Sequence, residues 1–257
     1  MNEKPRLDKI ARQQIILGEA RRSAALRISD LARYLEVSGE TIRRDLDELG
    51  NAGRLRRIYG GATLPARSAE GLASRGGKQS TAALLRMAGV VAAQVEPGQT
   101  VMIGGGPPAQ HVARLLARSV HDIVVITNNL GIAAVAGSGT AQIVLCPGTY
   151  DAEDDSVLGE DTIEYLARFT PDLTVIASHS LSPSGASDDR RGSANVKRAM
   201  LRSGRRAVLV IGHRHLGRNA LQQIAPLHAF TEVVTSGKPP AEMAAACRSA
   251  GVKLTAA

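Results

Sequence analysis

The chain has 257 residues, 44% apolar and 22% charged, with aromatics at only 2%. That length and balance fit a small domain plus one of ordinary size and exclude wholesale disorder, and Leu, Ile, Val and Ala must fill the cores. The formal net charge is +8, and residues 1–67 hold 14 Lys/Arg against 9 Asp/Glu, so about a quarter of the chain carries five of the eight excess charges; that asymmetry points to an N-terminal nucleic-acid-binding unit.

Cys146 and Cys247 are far apart and outside any Cys-x-x-Cys pair, so neither a disulfide framework nor a zinc site is expected. The opening MNEKPRLDKI has no signal-peptide run and no window is long and apolar enough to span a bilayer, so a cytoplasmic protein without a membrane is expected.

Along the chain, Leu7, Ile10, Ile15 and Leu17 recur at helical spacing between Pro5 and about Ala25. Leu26 to Ile28 reads as extended. A second helix over Ser29–Glu36 places Leu31, Ala32 and Leu35 on one face, Val37-Ser38-Gly39 is a turn, and a third helix runs from Gly39 or Glu40 to about Leu49. Leu55, Arg57 and Tyr59 alternate before Gly60-Gly61, the pattern of a β-ribbon. Residues 63–79 lack a period and read as a linker, which separates a DNA-binding domain at 1–62 from a second domain at 80–257. In the second domain, strands at Thr100–Ile103, Ile123–Thr127, Gln142–Leu145, Leu173–Ala177 and Ala207–Ile211 alternate with helices at 80–95, 109–118, 130–136, 159–168, 194–203 and 240–250. Such alternation predicts a mainly parallel sheet covered by helices.

The stretch SGETIRRDL carries the first functional signal. Ile42, Leu46 and Leu49 fall at i, i+4, i+7 and form the buried stripe of the third helix. Arg43 and Arg44, roughly 100° and 200° around from Ile42, avoid that stripe. Ser38 is placed to cap the helix, and Glu40, Thr41, Arg43 and Arg44 project from its first turns. Turn and helix together form a helix-turn-helix, whose second helix enters the major groove with its N-terminus first. The arginines suit phosphate clamping or guanine reading, and Arg54, Arg56 and Arg57 on the ribbon would form a wing. The alternative is a solvated face with Glu40–Arg44 and Arg44–Glu48 ion pairs; the combination of turn, helix and basic ribbon favours DNA.

RISDLARYLEVSGETIRRDLDELGNAGRLRRIYGGA resembles the winged helix-turn-helix of DeoR-family transcriptional regulators, in which a small DNA-binding domain precedes a sugar-phosphate-sensing one. TVMIGGGPPAQHVARLL, ITNNLGIAAVA, SANVKRAML and LVIGHRHLGRNAL follow in the family's order, with Thr-Asn-Asn and Gly-Arg-Asn-Ala most similar to the branch that represses the glycerol-3-phosphate regulon. There are departures. Arg27 stands where the family has a small hydroxyl residue capping the second helix, a job that Ser29 could take by a shifted start. Gly104 replaces an acid, Pro107-Pro108 replace two threonines, and Gly212, Arg214 and His215 stand where the family has Asp and then Ser-Lys.

The residues of the second domain carry a reading of their own. Gly104-Gly105-Gly106 lies between a strand and a helix, where backbone N–H groups can approach an anion. Thr127, Asn128 and Asn129 at the next strand end can bond hydroxyls or phosphate. Gly105, Gly106, Pro107, Thr127, Asn128, Asn129 and Lys197 are thus the candidate effector residues, against the alternative of an ordinary tight turn and, for Lys197 and Arg198, a solvated basic pair. His213, Arg214 and His215 could hold a phosphate in a different way or be surface polar. Gly104-x-Gly106-x-x-Ala109 formally fits a dinucleotide fingerprint, but no acid ends the strand at 123–127, so no cofactor is expected. The resemblance implies a repressor on a double-stranded operator, released by a small phosphorylated sugar or polyol; a homodimer or homotetramer is expected because one helix-turn-helix makes few base contacts and two-fold symmetry doubles them. A sugar-phosphate isomerase-like enzyme is the rival, and the missing Asp and Lys weigh against it.

Overall fold

The computed structural model describes residues 8–22, 26–52, 54–58, 60–63 and 80–257. They fall into two compact units, one on each side of the expected linker, which from residue 64 to residue 79 lies outside the described residues.

In the N-terminal unit, α1 (Lys9–Arg22), β1 (Leu26–Arg27), α2 (Ile28–Tyr34), α3 (Gly39–Asn51), β2 (Arg56–Ile58) and β3 (Gly61–Thr63) follow in order. The core gathers Ile16, Leu17 and Ala20 with Leu31, Leu35, Ile42, Leu46 and Leu49. The expected stripe of α3 is thus buried, whereas in α1 the buried residues are displaced: Ile10 is 70% exposed, and Ile16 takes the inner position. The sheet order is β1-β3-β2, both pairs antiparallel. Arg27 pairs with Gly61, and a Cβ on Gly61 would lie 1.8 Å from the Leu26 carbonyl oxygen, so only glycine fits at this crossing.

The start of α2 differs from expectation. Arg27 is its N-cap and offers no side-chain bond, and Ser29 sits inside the helix, its hydroxyl directed at Asp30. The N–H of Ile28 donates instead to the Gly60 carbonyl at 3.0 Å. The ribbon satisfies one of the orphan donors that a capping hydroxyl would otherwise meet.

The second unit is an α/β domain. Its helices are α4 (Thr81–Ala92), α5 (Pro107–Ser119), α6 (Leu130–Ala136), α7 (Glu160–Leu166), α8 (Arg191–Ser203) and α9 (Ala241–Ser249). Seven parallel strands form its sheet: β4 (Thr100–Ile103), β5 (Val124–Thr127), β6 (Gln142–Leu145), β9 (Leu173–Ala177), β12 (Ala207–Ile211), β14 (Glu232–Thr235) and β15 (Lys253–Ala256), in the order β15-β14-β12-β9-β4-β5-β6. Two apolar clusters cover the two faces, one around Met102, Ile126, Ile176 and Met200, the other around Ile103, Val112, Leu116 and Val175. The expected strands recur with at most a residue's change; β14 and β15 were not foreseen, nor were the hairpin β7 (Thr149–Asp151)–β8 (Ser156–Leu158) and the small sheet of β10 (Ser180–Ser182), β11 (Gly185–Asp188) and β13 (Gln222–Ala225). Both cysteines are free and buried, and burial pushes the Cys146 thiol up to about 12. No described helix is long and apolar enough to cross a membrane, and no described group of His, Cys, Asp and Glu could hold a metal ion.

Candidate functional site

The N-terminal unit offers a basic face on α3 and the ribbon. Ser38 caps α3, its Oγ accepting from the Thr41 N–H at 3.1 Å and lying 2.9 Å from the Thr41 hydroxyl. Arg43 and Arg44 are exposed, and both reach back to Glu40, at 3.1 and 3.8 Å. Exposed pairs of this kind are worth little. Of the ribbon arginines, Arg54 is exposed, and the Arg56 side chain lies outside the described residues. Arg57 is engaged: its Nε is 3.0 Å from Asp47 of α3, and its Nη1 donates to the Gly61 carbonyl at 3.2 Å. Arg57 therefore braces the ribbon against α3.

The opposite side of α3 carries a contact that its apolar stripe did not reveal. Asp45 is 2% exposed and receives Arg12 Nε at 2.5 Å and Nη2 at 3.2 Å. Lys9 and Gln13 bond Glu48 at 2.7 and 2.9 Å. A charged residue on the buried side of an amphipathic helix is itself the signal for such a partner.

In the second unit the carboxyl ends of β4, β5, β9 and β12 gather the candidate effector residues. The Gly104 N–H donates to Val175 at 2.9 Å, closing the loop onto β9. Gly106 has φ 134° and a Cβ there would lie 2.7 Å from that of Ala177, so backbone geometry and space both demand glycine. Gly106 is the N-cap of α5, and Pro107 and Pro108 fill the first two helical positions. Prolines carry no N–H. The loop and the N-terminus of α5 therefore present N–H donors from Gly105, Gly106 and Ala109 alone, fewer than a helix start normally offers.

Next to it, Thr127 and Asn129 are committed to the fold. Thr127 Oγ1 donates to Ile103 O at 2.7 Å and accepts from Asn129 N at 3.1 Å. Asn129 caps α6 by accepting from Ile132 N at 2.8 Å, and its Nδ2 donates to Asp154 O and Ser156 Oγ. Asn128 donates from Nδ2 to Val157 O at 2.9 Å. Gly105 meets this group directly, since a Cβ on it would lie 3.2 Å from Asn129 Nδ2 and Ser156 Oγ.

Lys197 is not solvated. It is 8% exposed, and its Nζ donates to Asp188 Oδ2 at 2.5 Å. Its neighbour Arg198 donates to the Gln223 carbonyl at 2.9 Å from Nε. Beside them Arg190 joins Asp151 and Asp154, the latter at 3.1 Å. Burial raises the Asp151 pKa, but Arg190 and the N–H groups of Glu153 and Asp154 outweigh it and hold it below the usual range; burial keeps Asp154 above that range against Arg190 and Lys197. One guanidinium thus serves these two unlike carboxylates, with Glu153 as a third at 3.6 Å. The acidic run DAEDD at 151–155 and the mixed run DDRR at 188–191, some forty residues apart, were the sequence signals for this network. It pins the β7–β8 turn over the loop, because Asp154 and Asp155 supply the carbonyls that bond Asn129 Nδ2 and Leu130 N.

The DeoR C-terminal sensor domain matches residues 80–237, and the DeoR-like helix-turn-helix domain matches residues 12–68. The chain is 29% identical over 213 residues to the glycerol-3-phosphate regulon repressor of Escherichia coli (strain K12), covering 82% of this chain and 84% of that one. It is 28% identical over 220 residues to the HTH-type transcriptional repressor CsqR of the same organism, covering 85% and 84%. A ribose 5-phosphate isomerase from Methanocaldococcus jannaschii is similar at a TM-score of 0.40 and 12% identity over 54% of this chain and 55% of that one, too distant to bear on function. With a helix-turn-helix at one end and the matching sensor domain over more than half its length, the chain belongs to the DeoR family.

Proposed function

We propose that the protein is a cytoplasmic transcriptional repressor that binds a double-stranded operator through α3 and the ribbon and is released by a phosphorylated sugar or polyol held at the carboxyl edge of the sheet. The observation that carries the reading is the Ser38-capped helix with Arg43 and Arg44 exposed beside it. Relatives that are named repressors and match over most of their length support it. In the DNA-binding set, Ser38 and Thr41 shape the helix start, Glu40 is the resting partner of the arginines, Arg43 and Arg44 contact DNA, Arg54 and Arg56 contact the backbone, and Arg57 holds the ribbon in place.

For the effector, the phosphate sits against the N–H groups of Gly105 and Gly106, and Asn128 bonds a hydroxyl. Pro107 fixes the start of α5, Thr127 and Asn129 shape the pocket wall, and Lys197 acts through Asp188. The role is a regulator's and not an enzyme's. The test is a gel-shift titration of the full chain on its operator. Arg43→Ala or Arg44→Ala is expected to weaken binding by about 1–3 kcal/mol where that arginine reads a guanine. Unchanged affinity in both, with folding intact, overturns the assignment of α3. Glycerol 3-phosphate, added to the wild-type complex, is expected to release the DNA.

A further inference from the structure

Three neighbouring strand ends bring a second set of groups to the same edge. β4, β9 and β12 lie side by side, and the segments that follow them are the glycine loop, Ser178-His179 and Gly212–His215. The contact between Gly106 and Ala177 and the pairing of Ala177 with Val210 fix this adjacency. His179 and His215 meet edge to face, ring centroids 5.7 Å apart. His179 Nε2 lies 3.0 Å from Asp189, and His213 Nδ1 lies 3.2 Å from the Ser236 hydroxyl. Burial lowers the pKa of half-buried His215, and His179, Arg218 and His213 lower it further, against a backbone hydrogen bond with His179 that raises it. His179, His213, His215 and Arg218 therefore crowd one edge of the site, where Asp189 reaches His179 alone among them in the contacts above. Like charges so placed oppose one another until an anion joins them.

We infer that the effector carries a second anionic group, a carboxylate at the end of its carbon chain, which lodges beside the His179–His215 pair. The ligand class is a phosphorylated sugar acid or hydroxy acid. The distance suits it: β9 and β12 lie one and two strand spacings from β4, roughly 5 and 10 Å, about the phosphate-to-carboxylate reach of a three-carbon and of a six-carbon acid. The inference rests on the phosphate reading of the glycine loop and adds the second anchor. A carboxylate beside the imidazoles favours their charged forms, so binding takes up protons, and affinity rises as pH falls through the histidine range.

The experiment is titration calorimetry of the full chain with matched pairs: 3-phosphoglycerate against glycerol 3-phosphate, and 6-phosphogluconate against glucitol 6-phosphate. Each polyol controls for protonation of the phosphate itself. The better-fitting acid is expected to bind at least about tenfold more tightly than its polyol near pH 6.5, the gap shrinking towards about pH 8, which corresponds to a shift of one pKa unit or more in the imidazoles. Heats in buffers of different ionisation enthalpy are expected to report proton uptake for the acid. His179→Gln with His215→Gln is expected to erase the preference, and the wild-type pH series reads the same property should that variant not fold. Equal affinities, or a ratio that ignores pH, overturn the second anchor and leave the phosphate reading standing. No binding by either member of either pair overturns both.

Discussion

Asp45 and Arg12 place one ion pair on the inner side of α3. With Asp45 almost fully buried and Arg12 mostly so, removing one partner strands the other charge, which costs about 3–5 kcal/mol, while replacing both with apolar residues can be neutral. Arg12→Ala is expected to speed amide hydrogen exchange in α3 by about a hundredfold or more, and Arg12→Met with Asp45→Leu to return it close to wild type. Exchange unchanged in the single variant would show that the pair carries no stability. The buried charges are also where reading by periodicity stopped. Asp45, Lys197 and Glu232 look like surface residues in sequence, but each is buried against a partner: Arg12, Asp188, and for Glu232 Gln94 at 2.9 Å and Lys253 at 3.1 Å. Those partners lie up to 138 positions away, beyond any local pattern.

At the scale of elements, α3 and the ribbon act as one part because Arg57 bonds both Asp47 and Gly61. Arg54 and Arg57 should therefore differ. Arg54→Ala is expected to weaken binding to all sequences alike and to reduce the salt slope by about one. Arg57→Ala is expected to loosen the ribbon, and Asp47→Ala to weaken DNA binding in the same way, although it removes a negative charge near the phosphates. Tighter binding by Asp47→Ala in a fluorescence anisotropy titration would make Arg57 a phosphate contact instead. Elements with a strong repeat were legible: the Ile42, Leu46 and Leu49 stripe, the Ser38 cap, and the strands at β4, β6, β9 and β12. β14 and β15 were not, because Glu232-Val-Val-Thr and Lys253-Leu-Thr-Ala each open on a charged residue and mix charge with apolar character. The site divided the same way. Its glycine loop was visible as a motif, whereas the commitment of Thr127 and Asn129 to the fold came from bonds to Ile103, Asp154 and Ser156 that no spacing encodes.

As a whole molecule, the chain joins one small DNA-binding unit to one sensor unit. A single recognition helix makes few base contacts, and two-fold symmetry doubles them on a palindromic operator. The protein is expected to be a homodimer or homotetramer assembled through the second unit. Light scattering at micromolar concentration checks this, and a monomer with and without DNA would refute it.

The crossing of β1 and β3 has a consequence in heredity. Every glycine codon is one base from codons for several larger amino acids, and each of those brings the atom that Gly61 lacks room for beside Leu26. Position 61 is therefore a place where the gene cannot drift, set within a ribbon whose exposed neighbours can. A lineage that changed it would have to move the start of α2 as well, because that helix takes its first bond from Gly60.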